Sequence, residues 1–436
     1  MSTVHAAHQR REWFARLPRA PSCNNACSAE HSARTLRTRR TQVKAQSLSI
    51  LGAQVWNGAD FSLQDLHIVD GLVADVPAPD AETLDGSGGW LLPGFIDAHF
   101  HAYATSMDGL ENERGPLSYA AINGTRRLEK ALRRGFTTVR DVAGGDIGLA
   151  RAIDASLFDS PRYLFTGPAL SQTGGHGDPR SEHVDICFSH GHMCEVVDGV
   201  EALRLAVRNR LRTGAHAIKI MTSGGVFSLA DPLPIPQYSP EEVRVVTEEA
   251  GRRGSYVAAH AYSSEAVMHS IENGVRSIEH GNLIDAATAT AMADRGAFLV
   301  PTLAAYDAMD RRGAEIGLNE ISLAKNSEVL SKGQEAVQIA LAAGVSVGFG
   351  SDLMGDLEDD QLRGVRLQAD ASGAAATIHS LTAVNAQLIG DPRAGSLTTG
   401  SYGDALLLSE NPLELAGALS EPAARLAVVQ AGRVIR

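Results

Sequence analysis

The chain has 436 residues, of which 44% are hydrophobic and 21% are charged, and its formal net charge is −12. This acidic balance argues against a nucleic-acid-binding surface, which usually needs a basic patch, and gives no attraction to anionic membranes. The sequence contains no run of 18 apolar residues, and four cysteines in so long a chain do not make a disulfide scaffold. We therefore expect a cytoplasmic protein with reduced thiols that binds neither nucleic acid nor membrane.

Residues 1–45 differ in composition from the rest of the chain. They contain nine Lys/Arg against two acidic residues, are rich in Ser and Arg, and lack the apolar segment of a secretory signal. We predict a basic, disordered extension, or a start codon placed too early. An organelle transit peptide is the alternative, because such peptides are also Arg-rich and poor in acidic residues.

Two β-rich segments flank the middle of the chain. Short strands joined by turns are predicted at 47–55, 64–69 and 71–76, and again at 404–409 and 424–430 near the C-terminus. Because both ends have the same character, we predict that residues 46–92 and 396–436 pair into one small β-sandwich domain.

Residues 93–395 alternate apolar runs with helical patterns. The runs, as expected of strands buried on both faces, fall at 95–99, 137–141, 162–166, 217–221, 256–260, 277–280, 298–302 and 346–351. Helices are predicted at 119–134, 200–213, 240–253, 264–273 and 325–343, each followed by the Gly that helix C-caps prefer. Eight strands alternating with helices predict an α/β fold, a (β/α)8 TIM barrel.

Polar residues stand where five of these apolar runs end, which is the catalytic end of such a barrel. The six residues are His99, His101, Lys219, His260, His280 and Asp352. His99 and His101 are two apart on a strand and so point to the same face. Imidazole is a common metal ligand, so we predict a metal site here, with a second ion on His260 and His280.

Lys219 lies between two isoleucines on a buried strand, where an ammonium is costly unless it is paired or neutral. Burial and nearby cations lower the pKa of an amine. A neutral amine can react with carbon dioxide to give a carbamate, whose two oxygens can bridge two metal ions. We state this carbamate as a hypothesis.

With these residues in this order, the chain resembles the amidohydrolase superfamily over residues 46–436. The resemblance rests on Pro-Gly-Phe-Ile-Asp-Ala-His-Phe-His at 93–101, Ile-Lys-Ile at 218–220, and the sequences around His260, His280 and Asp352. Because it has a lysine on the fourth predicted strand, the chain resembles the binuclear branch of this superfamily, in which that lysine is carboxylated. This resemblance implies that His99, His101, Lys219 and Asp352 hold the buried metal and that Lys219, His260 and His280 hold the exposed one.

A narrower resemblance is to imidazolonepropionase-like peptidases, which include Xaa-Pro dipeptidases and ochratoxin-hydrolysing amidases. It rests on Arg-Asp-Val at 140–142, Gly-Gly-His-Gly-Asp at 174–178, and Lys-Ile-Met-Thr-Ser-Gly-Gly at 219–225. The loop at 228–238 departs from the pattern, which affects the substrate preference more than the chemistry. Within these loops, His176 is a candidate for binding the oxyanion or a substrate carboxylate, and Tyr238 for contacting a carboxylate.

The predicted reaction is metal-assisted hydrolysis of an amide in a small N-acyl amino acid or dipeptide-type substrate, including ochratoxin A. A hydroxide bridging two divalent ions, favoured to be zinc, attacks the carbonyl, and Asp352 passes its proton to the leaving amine. The alternatives are a cyclic-amide hydrolase, a deaminase, against which Lys219 counts, and a catalytically silent binding protein on this scaffold. We expect a homo-oligomer.

Two further groups of polar residues lie outside this predicted site. Arg140 is expected to form an ion pair with Asp141 or a neighbour. Cys187, His190, His192 and Cys194 lie within eight residues and are of types that bind zinc, although their spacing is not that of a usual zinc finger.

Overall fold

The computed structural model describes residues 43–184, 186–228 and 231–435. The predicted extension at 1–45 therefore lies outside the described residues, apart from its last three. The described chain opens with five strands, which are β1 (Leu48–Trp56), β2 (Phe61–Val69), β3 (Leu72–Ala74), β4 (Glu82–Asp85) and β5 (Trp90–Pro93).

Ten strands follow in the middle of the chain. They are β6 (Phe95–Phe100), β7 (Phe136–Asp141), β8 (Arg162–Phe165), β9 (Ala169–Ser171), β10 (Cys194–Val196), β11 (Ile218–Met221), β12 (Val257–Ser263), β13 (Ser277–Leu283), β14 (Phe298–Val300) and β15 (Ser346–Val347). Except for β9 and β10, each begins within one residue of a predicted barrel strand. The two short exceptions lie in the connection between β8 and β11, where no strand was predicted.

Twelve helices are described, and most connect consecutive barrel strands. They are α1 (Gly109–Arg114), α2 (Leu117–Arg133), α3 (Ile147–Asp154), α4 (Val200–Arg212), α5 (Pro240–Gly251), α6 (Ser264–Glu272), α7 (Ala286–Asp294), α8 (Leu303–Arg312), α9 (Glu320–Ala342), α10 (Gln361–Ser372), α11 (Ala374–His379) and α12 (Asn385–Leu388). The helix α5 starts with a capping box, in which Ser239 and Glu242 each bond the other's backbone N–H. Among the described residues, no helix combines the length and the apolar character needed to cross a membrane.

The parallel strands form two sheets that backbone hydrogen bonds join into a barrel. The strand orders are β6-β7-β8 and β10-β9-β11-β12-β13-β14-β15. The His216 N–H donates to the Phe165 carbonyl (2.7 Å), which links β8 to the start of β11. The Ala98 N–H donates to the Phe349 carbonyl (2.9 Å), which links β6 to the residues after β15. The predicted TIM barrel is thus confirmed.

The flanking segments also meet as predicted. Strands β16 (Ala405–Leu408), β17 (Arg425–Gln430) and β18 (Arg433–Ile435) join the N-terminal strands in one eight-stranded sheet, in the order β18-β17-β16-β5-β1-β2-β3, with β4 beside β1. The side chains of Ile50, Leu91 and Leu407 lie in one buried core of this sheet. Because β5 leads directly into β6, the sheet sets the position at which the first barrel strand begins.

Asn385 is a fully buried amide that bonds β6 and the segment after β15 at the same time. Its Nδ2 donates to the carbonyls of Ile96 (2.7 Å) and Phe349 (2.8 Å), and its Oδ1 accepts from the Phe349 N–H (3.2 Å). All three bonds lie away from water. Removal of the amide would take the acceptor from the Phe349 N–H and a donor from the Ile96 carbonyl, whereas the Phe349 carbonyl would keep its bond from Ala98.

We expect Asn385→Leu to destabilise the protein by at least about 2 kcal/mol, because unsatisfied buried groups cost about 1–3 kcal/mol each. Urea unfolding followed by circular dichroism measures the loss as a lower midpoint. Asn209→Leu, on the exposed face of α4, is the matched control and should leave the midpoint nearly unchanged. Equal midpoints for the two variants would contradict the proposed bridge.

Candidate metal centre

The six predicted ligands line one pocket at the carboxyl ends of the barrel strands. They come from β6 and the residue after it, from β11, β12 and β13, and from the segment after β15; these residues are His99, His101, Lys219, His260, His280 and Asp352. Parallel strands of a barrel end on the same rim, which explains why residues so far apart in the chain meet.

Two imidazoles converge on one carboxylate oxygen. The Nε2 atoms of His99 and His101 lie 3.2 Å and 2.9 Å from Asp352 Oδ1. Potential ligand atoms of these three residues all lie within 4.8 Å of one another. Two imidazoles and a carboxylate are a donor set that zinc and related divalent ions accept, so the residues fit a bound metal ion.

Charge around Asp352 keeps its carboxyl group ionised. Burial by itself would raise the pKa of Asp352, but His99 and the hydrogen bond with His101 outweigh this effect and hold the pKa well below its usual range. The Nδ1 atom of His280 lies 3.7 Å from Asp352 Oδ2, so a third imidazole approaches the second carboxylate oxygen. Asp352 is therefore an anion at neutral pH.

His99 is oriented from behind by Glu279. The Nδ1 atom of His99 lies 2.7 Å from Glu279 Oε2, which leaves Nε2 to face Asp352. Glu279 Oε1 accepts hydrogen bonds from Arg140 Nη2 (2.8 Å) and Ser277 Oγ (2.5 Å). Metal-binding histidines usually have such a carboxylate partner on the second ring nitrogen. The candidate site residues predicted from the sequence did not include Glu279, which contacts one of the candidate ligands.

The expected ion pair of Arg140 is formed with Glu279, and both side chains are completely buried. Burial by itself would raise the pKa of Glu279, but Arg140 and His99 hold it well below its usual range. Glu279 is thus a permanent negative charge beneath the candidate metal centre.

Lys219 lies on β11 with 2% of its surface exposed. Burial lowers the pKa of its amine to about 8, although the carboxylates of Glu279 and Asp352 act to raise it. A larger fraction of this amine is therefore neutral near neutral pH than for a lysine in water.

His260 and His280 stand side by side, with ring centroids 4.5 Å apart. His260 Nε2 lies 3.1 Å from the Gly224 carbonyl, and His280 Nδ1 lies 2.8 Å from the hydroxyls of both Thr302 and Tyr306. Burial lowers the pKa of both imidazoles well below the usual value. They are therefore neutral at neutral pH, which is the form that binds metals.

His176 also lines the pocket, and its ring stacks on His260 at a centroid distance of 4.1 Å. Its Nδ1 lies 2.9 Å from Ser228 Oγ. A Cβ at Gly225 would come within about 2.0 Å of the His176 ring, so this position requires glycine. The loops after β8 and β11 thus hold His176 over one of the candidate ligands.

Tyr238 is placed differently from the other candidates. Its hydroxyl donates to the Val197 carbonyl at 2.9 Å, and the ring belongs to the core packed around β11 and β12. Tyr238 is not among the described residues that line the pocket. A contact between Tyr238 and a substrate carboxylate therefore does not fit this placement.

The cysteines and histidines at 187–194, whose types suit a separate zinc site, have different neighbours. Cys187 is exposed, His190 Nδ1 lies 3.7 Å from Glu195 Oε2, and His192 Nε2 lies 3.1 Å from the Gly115 carbonyl. Within the described ranges, His99, His101 and Asp352 are the group of three side chains that meets metal-binding distances.

Residues 90–435 match the family model described as the amidohydrolase family. The chain belongs to this family. It is accordingly a hydrolase that acts on carbon–nitrogen bonds, in a family that generally uses divalent metal ions.

Three proteins illustrate what this amidohydrolase is similar to. It is 32% identical to an ochratoxinase of Aspergillus niger over 368 residues, and this alignment covers 79% of this chain and 75% of that protein. A prolidase crystallised with N-methylphosphonate-L-proline is 39% identical with a TM-score of 0.86, over 90% of this chain and 100% of the other. A Xaa-Pro dipeptidase with methionine bound in its active site is 26% identical with a TM-score of 0.80, over 89% and 99% of the two chains.

We expect Glu279→Gln to weaken zinc binding by this amidohydrolase about 10- to 100-fold, because His99 loses the carboxylate that orients it. Titration of the metal-free protein with zinc against a competing chelator measures the change. Glu249→Gln is the matched control, since Glu249 is a buried carboxylate on α5 that accepts from Arg204, Arg208 and Arg252 instead. A similar loss in both variants would mean that the effect is one of folding alone.

Proposed function

We propose that this amidohydrolase cleaves the amide bond of a small N-acyl amino acid or dipeptide-type substrate, using two divalent metal ions. The observation that carries the proposal is the convergence of His99 and His101 on Asp352, beside a buried Lys219. The identities of its relatives, an ochratoxinase, a prolidase and a Xaa-Pro dipeptidase, support this substrate class.

Two groups of side chains would hold the ions. His99, His101 and Asp352 would hold the buried ion, His260 and His280 would hold the exposed one, and Lys219 would bridge them. When bound, zinc or a related ion polarises the scissile carbonyl and lowers the pKa of water.

Lys219 can act as a bridge only after it becomes an anion. Its neutral amine would attack carbon dioxide, form a nitrogen–carbon bond and lose one proton, which gives a carbamate with two oxygen donors. The lowered pKa of about 8 favours the neutral amine that this reaction needs.

Asp352 would move the proton during hydrolysis. As an ionised carboxylate, it can take the proton of the attacking water and pass it to the leaving nitrogen, which is expelled as an amine. His176 lies in the same pocket with Nδ1 occupied by Ser228, so Nε2 is the nitrogen that would contact an oxygen of the substrate.

We expect the zinc-reconstituted protein to bind two ions per chain and to hydrolyse members of a panel of N-acyl amino acids, Xaa-Pro dipeptides and ochratoxin A. Asp352→Asn should lower kcat about 10²- to 10⁴-fold, as removal of a proton-transferring group usually does. Metal analysis and steady-state kinetics give both readouts. A metal-free protein with full activity, or a zinc-loaded protein inactive on the whole panel, would contradict the proposal.

Lys219→Ala should lower the bound metal from two ions to one or none and abolish most activity. Nuclear magnetic resonance of the protein in ¹³C-labelled bicarbonate should show a carbamate carbon in the wild type and none in this variant. Lys130→Ala is the control, because Lys130 is a half-exposed lysine on α2. Full activity in Lys219→Ala would exclude the bridging role.

A further inference from the structure

Methionine is unusually concentrated around the pocket. Five of the eight methionines of the chain line it, and each belongs to a different barrel strand or to the segment that follows it. They are Met107 after β6, Met193 after β8, Met221 at the end of β11, Met309 in α8 after β14, and Met354 after β15. The thioethers therefore surround the candidate metal centre from several sides.

The position of Met193 is supported by its neighbours. Glu113 accepts hydrogen bonds from the backbone N–H groups of Met193 (3.1 Å) and Cys194 (2.8 Å). A Cβ at Gly144 would come within about 2.4 Å of Met193 Sδ, so glycine there leaves room for the thioether. Several interactions thus fix one methionine at the pocket wall.

Outside the candidate metal ligands, the described residues of the pocket wall include no lysine or arginine. Among the described residues that line the pocket, Glu113 is the additional carboxylate, and Lys219 is the only lysine, with no arginine. An acidic side chain buried here would find no free cation beyond the metal centre, and burial of an unpaired charge is costly.

We infer that the pocket selects amides with an aromatic or large apolar side chain and rejects those with an acidic one. This inference rests on the proposed function and specifies its substrate class. Thioether sulfur makes favourable contacts with the edges of aromatic rings, and the unbranched methionine side chain adapts to several shapes. The pocket therefore accepts aromatic and large aliphatic groups of different sizes.

The first test compares N-benzoyl-L-phenylalanine with N-benzoyl-L-glutamate, which share the acyl group and differ in the amino-acid side chain. With the zinc-reconstituted full chain, we expect kcat/KM to be at least about 100-fold higher for the phenylalanine compound. Equal values, or a preference for the glutamate compound, would overturn the inference.

The second test removes sulfur with little change in volume. Met193→Leu and Met309→Leu should each lower kcat/KM for N-benzoyl-L-phenylalanine about two- to tenfold and leave N-benzoyl-L-leucine nearly unchanged. Met292→Leu, on the buried face of α7, is the matched control and should change neither value. Loss of the same size on both substrates, or no loss in either pocket variant, would count against a thioether contact.

A substitution that adds a positive charge to the pocket tests the predicted rejection of acidic side chains separately. Met107 is partly exposed in the segment after β6, so an arginine can enter there without crowding the core. Met107→Arg should shift the ratio of kcat/KM values at least tenfold toward N-benzoyl-L-glutamate. An unchanged ratio would contradict the role of charge.

Binding of the product amino acids separates failure of this inference from failure of the proposed function. Calorimetry of the zinc-loaded protein with L-phenylalanine and L-glutamate needs no turnover. Tighter binding of L-phenylalanine without hydrolysis of any amide would support the pocket selectivity and refute the proposed function. Hydrolysis of both benzoyl compounds with equal efficiency, or equal binding of the two amino acids, would refute the selectivity.

Discussion

The hydrogen bond from the Asp352 N–H to the His99 carbonyl (2.8 Å) joins the end of the barrel to its beginning and brings the two residues into one site. Asp352 has a φ of 54°, a left-handed conformation that costs energy outside glycine but is found at functional sites. Gly350 permits the approach, because a Cβ there would lie about 2.4 Å from His99 Cβ. Closure of the fold and assembly of the candidate metal centre therefore depend on the same contact.

Beneath this contact lies an ion pair that stability alone does not explain. Arg140 and Glu279 are both fully buried. The free-energy cost of removing two charges from water often exceeds the gain from their attraction. Their remaining hydrogen-bonding atoms are satisfied, since Arg140 Nε donates to the Ala98 carbonyl and Glu279 accepts from His99 and Ser277. Within the pair, Glu279 contacts the ring of His99, and the two charges act on the pKa of the Lys219 amine in opposite senses, Glu279 raising it and Arg140 lowering it.

The sequence predicted the barrel strands and their convergent polar residues because apolar runs and strand ends follow local rules. Glu279 does not follow from the strand pattern, because side chains alternate along a strand and the residue next to an inward His280 would point away. His280 has a φ of 79°, which interrupts this alternation and lets both side chains contact the site. One available signal was Arg140, since an arginine on a buried strand needs an anion, and the inward Glu279 of β13, a strand of the other sheet, supplies it.

The position of Tyr238 and the strands β9 and β10 could not be predicted, because contacts between connecting segments decide them. The same contacts decide where Met107, Met193 and Met354 lie, whereas Met221 ends β11 and Met309 belongs to α8. Strand ends hold the candidate ligands in a rigid frame, whereas the connecting segments supply most of the surrounding apolar wall. Substitutions in that wall can alter which side chain fits without moving an imidazole or Asp352. The proposed metal ligands and the proposed side-chain preference therefore rest largely on different parts of the chain.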